Sequence, residues 1–303
     1  MGRDGRGGSR SHFAAISLNG RSSEPTLLTA PDDDGPNGPS MTVQTVKSLA
    51  QCSARSSHPD DGTSSLTNHI LKYLPASERT ALFGLAERVA VPVGETFAAS
   101  GDPVTHAYFP NVGVLAYVRE MKSGHQLAIT AIGREGIVGT GRLVGISRHD
   151  CRIVALLDSE GYRVPSEALC RAFDRSECFR AAALGHIGRH LLEVATRAAC
   201  SRVHSHRQRL AWWLLTIMDK AHQSSLHVTH DMLAQVVGGP RHAVTVALSE
   251  LRAKRVIAHR RGRIDILDRS RLVYDACECG RFVETNAPSS SSVDIQDLAN
   301  MDA

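Results

Sequence analysis

"VVGGPRHAVTVALSEL" (Val236–Leu251) sets two glycines and a proline between two apolar runs. Gly238 is free to take the left-handed backbone that stops a helix sharply. Pro240 suits the first position of a new helix, where its missing N–H leaves nothing unpaired. Just upstream, Thr229 is placed to cap a short helix over His230–Val237. Ala234 is small where a crossing helix must come close. Val244 follows Gly238 by six residues and shares an apolar face with Ala247, Leu248 and Leu251. A small residue, a turn at Gly238 and Gly239, and a buried apolar residue at these spacings read as a helix-turn-helix.

The other face of the second helix carries Arg241, His242, Thr245, Val246 and Ser249. The opening residues of such a helix meet base edges in the major groove, where Arg pairs bidentately with guanine. A plain helical hairpin with a solvated outer face would give the same pattern, but the next residues weigh against it. "VIAHRRGRIDIL" (Val256–Leu267) reads as strand, basic turn, strand, which is the wing of a winged helix. Its arginines, Arg260, Arg261 and Arg263 around Gly262, suit phosphates, as does the hydroxyl of Thr229. The whole chain is nearly balanced, with Lys+Arg 35 against Asp+Glu 31. From Arg241 to Arg263, however, seven basic residues face Glu250 alone. Basic charge is concentrated where the motif needs it.

Upstream, Ser205 is placed to cap a helix reaching Ala221, and Glu177–His204 has no proline and few glycines. Within it Leu184, Ile187, Leu191, Val194 and Ala198 are spaced three, four, three and four apart, an a/d seam. Packing on its own domain would also use an apolar stripe, but this regularity favours a parallel dimer helix. Before it the chain breaks into short strands at Gly94 and at Gly101-Asp102-Pro103. Residues 113–133 read as a hairpin closed by Lys122-Ser123-Gly124, and 151–164 as another turning at Ser159-Glu160-Gly161. Two short helical pieces precede them, with Pro75 opening the second.

The expected fold is α+β. An antiparallel β-roll sensor domain occupies 63–176, a dimerisation helix 177–204 and a winged helix-turn-helix domain 205–283. Tails at 1–62 and 284–303 are poor in apolar residues and expected to be disordered. Met41 lies inside the first tail, so the start is open between Met1 and Met41. No apolar run approaches the ~18 residues of a membrane span, and none near the start suits a signal peptide, so a cytoplasmic location is expected. Paired carboxylates, a Ser/His/Asp arrangement and a phosphate-binding loop are missing from the sequence, which argues against an enzyme.

The seven cysteines contain no CxxC pair and are expected to be reduced. Cys277 and Cys279 are the one close pair; a metal or redox role is open to them, but they read as two ordinary thiols near the C-terminus, and no metal site is expected. His186 and His190 share a helix face and could serve a metal or haem, but surface histidines are the favoured reading. His106 and His125 are expected to pack within the strands.

The stretches "HAYFPNVGVL", "IGREGIVG", "AACSRVHSHRQRLAWWLL", "LAQVVGGPRHAVTVALSELRAKRVI" and "RRGRIDILDRSRL" together resemble the Crp/Fnr family of bacterial transcription regulators. The resemblance runs from about Leu66 to Phe282. It implies a homodimer that reads a two-fold related site in double-stranded DNA, with RNA polymerase as a further partner. It also implies an effector pocket in the roll, here at Gly139, Thr140, Gly141, Arg142, Asp150, Cys151 and Arg152. Members that bind cyclic nucleotides carry a glutamate after a glycine and an Arg-Ser or Arg-Thr about ten residues later. Thr140 and Asp150-Cys151 stand at those places. An acid facing a phosphate repels it, and Arg142 and Arg152 are the cations placed to offset it. This argues against a cyclic nucleotide. An iron–sulfur cluster is argued against because only Cys52 precedes the roll. On the recognition helix, family members often carry a glutamate and a second arginine where His242 and Thr245 stand, so the target sequence should differ. The competing function is a ligand-, metal- or haem-responsive sensor acting through protein contacts.

Overall fold

A computed structural model describes residues 67–285. The expected tails, apart from residues 284 and 285, lie outside the described residues. A 3-10 turn at Ile70–Tyr73 and helix α1 (Ala76–Phe83) come first, with Pro75 between them. Five antiparallel strands follow: β1 (Glu87–Val91), β2 (Thr96–Ala98), β3 (His106–Glu120), β4 (Gln126–Ile132) and β5 (Arg152–Pro165). Their order is β1-β5-β3-β4, with β2 beside β5. Strands β3 and β4 form the expected hairpin, paired from Glu120↔Gln126 to Leu115↔Ile132.

The second expected hairpin is absent. Ser159, Glu160 and Gly161 run through the centre of β5, paired with Val91, Ala90 and Val89 of β1 on one side, while Glu160 and Gly161 pair with Val112 and Pro110 of β3 on the other. Gly161 is required by proximity rather than by a turn, because a Cβ there would lie 2.2 Å from the Phe109 carbonyl oxygen. Ser159 is buried, donating to the Val112 carbonyl (2.9 Å) and bonding the Tyr108 hydroxyl (3.1 Å). Its hydroxyl satisfies a backbone group where the β3–β5 register shifts.

Helix α2 (Ser166–Arg175) leads into α3 (Glu177–Val203), a run of 27 residues capped by the Ser176 side chain, which accepts from Phe179 N–H. Helix α4 (His206–Ala221) starts at a capping box of Ser205 and Gln208. Strand β6 (Ser225–His227) follows, then α5 (His230–Val237), α6 (Arg241–Ala253), β7 (Ile257–Arg260), β8 (Arg263–Ile266), α7 (Arg269–Asp275) and α8 (Cys279–Thr285). One apolar cluster joins Val114, Ala116, Ala128 and Val154 of the roll to Leu210, Trp213, Leu214 and Ile217 of α4 and on to the core of α5 and α6. Tyr108, Leu115, Val138 and Ile153 fill the roll. Among the described residues no helix is long and apolar enough to cross a membrane. Cys151, Cys170, Cys200, Cys277 and Cys279 are free thiols.

A buried ion network ties these parts together. Lys220 of α4 places Nζ 3.0 Å from Glu135 Oε1, after β4, and 3.2 Å from Glu193 Oε2 of α3, and donates to the Ala131 carbonyl (2.5 Å). Arg197 holds the other Glu193 oxygen at 3.0–3.1 Å. Glu193 is 6 % exposed. Burial alone would raise its pKa, but Lys220 and Arg197 outweigh that and hold the carboxyl down at about 2. A lowered carboxyl pKa stabilises the fold fully above the unfolded value of 4.5, and that stabilisation is lost as pH falls toward about 2. Glu193→Gln leaves Lys220 and Arg197 short of a buried partner and should cost about 3 kcal/mol at neutral pH. In urea denaturation the gap between wild type and variant should narrow from about pH 5 to about pH 3. An equal gap at both pH values would show that the Glu193 charge is not what the fold uses.

Candidate nucleic-acid interface

The turn between α5 and α6 is built by Gly238, Gly239 and Pro240, with Thr229 capping the helix before it. Thr229 accepts a hydrogen bond from Met232 N–H at 3.1 Å and caps α5. Gly238 takes φ 69°, ψ 55°, and its N–H donates to the Ala234 carbonyl at 2.9 Å. Gly239 differs: its φ is not positive, and a Cβ there would fall 2.3 Å from His206 Nε2 at the start of α4, so the imidazole would have to move. Pro240 sits one place earlier than expected. It is the extended N-cap of α6, and Arg241 is the first helical residue. The ring fixes φ but leaves ψ free, so the proline serves the approach to the helix rather than its first turn.

Val244, Ala247, Leu248 and Leu251 are buried, packed with Leu233, Val236 and Val237 of α5, while Ala234 is half-buried against the same core. Arg241, His242, Thr245, Val246 and Ser249 are all exposed on the opposite side. Arg241 Nη1 lies 3.5 Å from Asp231 Oδ1, both side chains 66 % exposed, so water screens the pair and a stronger anion can displace it. Thr245 Oγ1 donates back to the Arg241 carbonyl at 3.1 Å.

The wing closes with two residues, Arg261 (φ 46°) and Gly262 (φ 77°), between the Arg260↔Arg263 pair. Two positive φ values match the twist of a tight hairpin, a geometry that favours Asn or Gly. Arg260 and Arg261 are exposed and make no ion pair among the described residues. Arg263 is tied to Asp265 at 2.8 Å, so its charge is largely answered within the wing.

The effector stretch lies where the roll meets α3. Gly139 (φ 81°) precedes a 3-10 turn over Thr140–Val144, with Gly141 half-buried, Arg142 exposed and Thr140 buried. The Gly139 N–H donates to the Tyr117 hydroxyl at 2.9 Å, and burial pushes that hydroxyl up to about 12. Asp150 is paired with Arg119, from the neighbouring strand, and not with either expected partner. Arg152 donates instead to Gln126 Oε1 at 3.1 Å, and Gln235 of α5 donates to the same oxygen at 3.0 Å. A polar chain therefore runs from the effector stretch to the helix-turn-helix. Cys151 is buried.

His186 and His190 are not surface histidines. His186 is buried, its Nε2 3.0 Å from the Ile137 carbonyl, and burial lowers its pKa to about 4. His190 sets its ring 5.2 Å from Tyr117. Both pack α3 onto the roll rather than face water. His125, expected to pack, is exposed in the β3–β4 turn, where it bonds Ser123. Cys277 and Cys279 are not peripheral thiols but are buried beside Cys200 and His204. The sequence signals for this meeting were the Cys-x3-His spacing of Cys200 and His204 and the Cys-x-Cys of Cys277 and Cys279, each ordinary alone.

Similarity to known proteins agrees with this geometry. A family model described as "Crp-like helix-turn-helix domain" matches residues 208–274, and one described as "Cyclic nucleotide-binding domain" matches 88–176. No curated protein matches the chain. Among solved structures the chain is similar to FixK2 of Bradyrhizobium japonicum (15% identity, TM-score 0.56, 63% of this chain and 98% of that one). It is similar to the c-di-GMP-responsive global regulator CLP of Xanthomonas campestris (18%, 0.54, 63% and 99%). A CRP/FNR-family transcriptional regulator of Thermus thermophilus matches at 23% identity (0.53, 64% and 98%). The chain thus carries a cyclic nucleotide-binding domain and a Crp-like helix-turn-helix domain, joined by a long helix, on the fold that these solved structures share.

Proposed function

We propose that the protein works as a homodimer whose two α6 helices read a two-fold related site in double-stranded DNA. The observation that carries this is the division of α6: Val244, Ala247, Leu248 and Leu251 are buried, while Arg241, His242, Thr245, Val246 and Ser249 stand exposed. Arg241 and His242, on the opening turn, read bases with Thr245 and Ser249. Arg260 and Arg261 hold phosphates, and Thr229 adds a hydroxyl beside them. Arg263 contributes less, because Asp265 already answers it. Arg261 occupies a left-handed position that Asn or Gly would fill more easily, which supports a role for its charge. Such a regulator acts in the cytoplasm, with RNA polymerase as its further partner.

The dimer reading is supported by the stripe on α3. Leu184 is 46 % exposed and Leu191 70 %, Ala198 is exposed, and Ile187 and Val194 are partly covered. Apolar side chains in register on one face favour burial against a second copy.

The roll is proposed to answer an effector other than a cyclic nucleotide. A phosphate needs a cation where Asp150 stands, and the ribose position holds a buried Thr140 in place of an acid. Arg152 is engaged by Gln126, and Tyr117 with His190 packs between Gly139 and α3. The Arg152–Gln126–Gln235 chain offers a route from this region to α5.

Binding to genomic fragments by gel shift tests the DNA reading. Arg241→Ala should cost about 1–3 kcal/mol and relax preference at one base pair per half-site. Arg261→Asn keeps the turn geometry, yet it should weaken all sequences alike and flatten the salt slope by about one per bound copy. If neither variant alters binding, α6 and the wing are not the contact surface. For the dimer, Leu191→Asp should yield monomers in sedimentation at concentrations where the wild type is dimeric, with circular dichroism unchanged. A variant that stays dimeric would remove α3 as the seam.

A further inference from the structure

Four potential metal ligands meet at the C-terminal end of α3. Cys200 and His204 lie one turn apart at that end, and Cys277 and Cys279 approach from just before and at the start of α8. The Cys200 and Cys277 sulfurs are 3.5 Å apart, Cys279 Sγ is 3.5 Å from His204 Nδ1, and all four ligand atoms lie within 4.8 Å of one another. A tetrahedral zinc ion with bonds of about 2.0–2.3 Å has ligand–ligand edges of roughly 3.5–3.8 Å. The two 3.5 Å separations are already of that size, and the others, none above 4.8 Å, would close by about an ångström or less as a metal drew the ligands inward.

The surroundings suit a closed, structural site. Cys200, Cys277 and Cys279 are 1 %, 6 % and 5 % exposed, packed with Trp212, Ala276 and Val283. His204 turns its second nitrogen, Nε2, to Glu278 Oε2 at 3.2 Å. A carboxylate on the far ring nitrogen fixes the tautomer that leaves Nδ1 free to ligate, an arrangement common around metal-bound histidine.

We propose that Cys200, His204, Cys277 and Cys279 bind one zinc ion as a Cys3His site. The three thiols release their protons to solvent on binding, and the histidine ligates as the neutral ring. The ion would staple the end of α3 to α8, joining Cys200 to Cys277, 77 positions further along the chain, with Trp212 of α4 against the site. This inference stands apart from the DNA-binding reading and would hold or fail without it.

Metal content of the full chain, purified under reducing conditions without chelator or metal-affinity resin, tests it by mass spectrometry. About one zinc per chain is expected. Cys277→Ser with Cys279→Ser should carry less than a tenth of that, while Cys170→Ser should keep it all. Glu278→Gln should weaken zinc about tenfold in a chelator competition. Should the double variant fail to fold, cobalt added to metal-stripped wild type supplies a second readout. Tetrahedral d–d bands with a thiolate charge-transfer band are expected, and His204→Cys should shift that spectrum toward four thiolates. A wild-type chain that holds no zinc and gives no such cobalt spectrum would overturn the site. So would peptide mapping that finds Cys200 and Cys277 joined as a disulfide in the reduced preparation.

Discussion

Lys220 is the charge around which this molecule is arranged. A buried ammonium has to be answered, and no single element of the fold can do it. Glu135 reaches it from the loop after β4, Glu193 from α3, and Ala131 supplies a carbonyl. The roll, the long helix and the first helix of the DNA-binding domain are thus held to one point. The same loop continues through Ile137, which bonds His186, to Gly139, which bonds Tyr117. The effector stretch and the ion network therefore lie on one short piece of backbone. Their connection is one of contact, and double-mutant cycles between Tyr117 and Lys220 would measure whether it is also energetic.

What was legible in the sequence was local. Thr229, Ser205 and Gly238 announce themselves because caps and left-handed turns depend on one residue and its near neighbours. The wing was legible for the same reason, since a two-residue turn between apolar strands needs Gly262. The apolar seam of α3 could be read from its period, and it stands on the exposed side of that helix. Ser159-Glu160-Gly161 misled because small polar residues and glycine also occur where strands crowd together. Gly161 answers the approach of Phe109, and nothing within ten residues of it signals that.

Long-range partnerships were hidden. Arg119 and Asp150 meet because Val118 pairs with Arg152 across the sheet, a register no local pattern encodes. His186 and His190 look like any solvent-facing pair until α3 is laid on the roll. The Cys-x3-His of α3 and the Cys-x-Cys before α8 are separated by more than seventy residues, and each is ordinary alone. Only folding shows that they share one buried pocket.

The proposed contact surface has its own division of labour. Arg241 is exposed and loosely held by Asp231, so it can turn to a base, whereas Arg263 is committed to Asp265. The wing keeps Arg261 in a backbone conformation that a smaller residue would occupy more easily, at the tip of its hairpin. Hydroxyl-radical footprinting of the full chain on a fragment it binds most directly tests the claim that two α6 helices read one site together. Two protected segments on the same face of the duplex, centred about one helical turn apart, are expected. A single protected segment, or protection with no fixed register, would contradict a paired reading head.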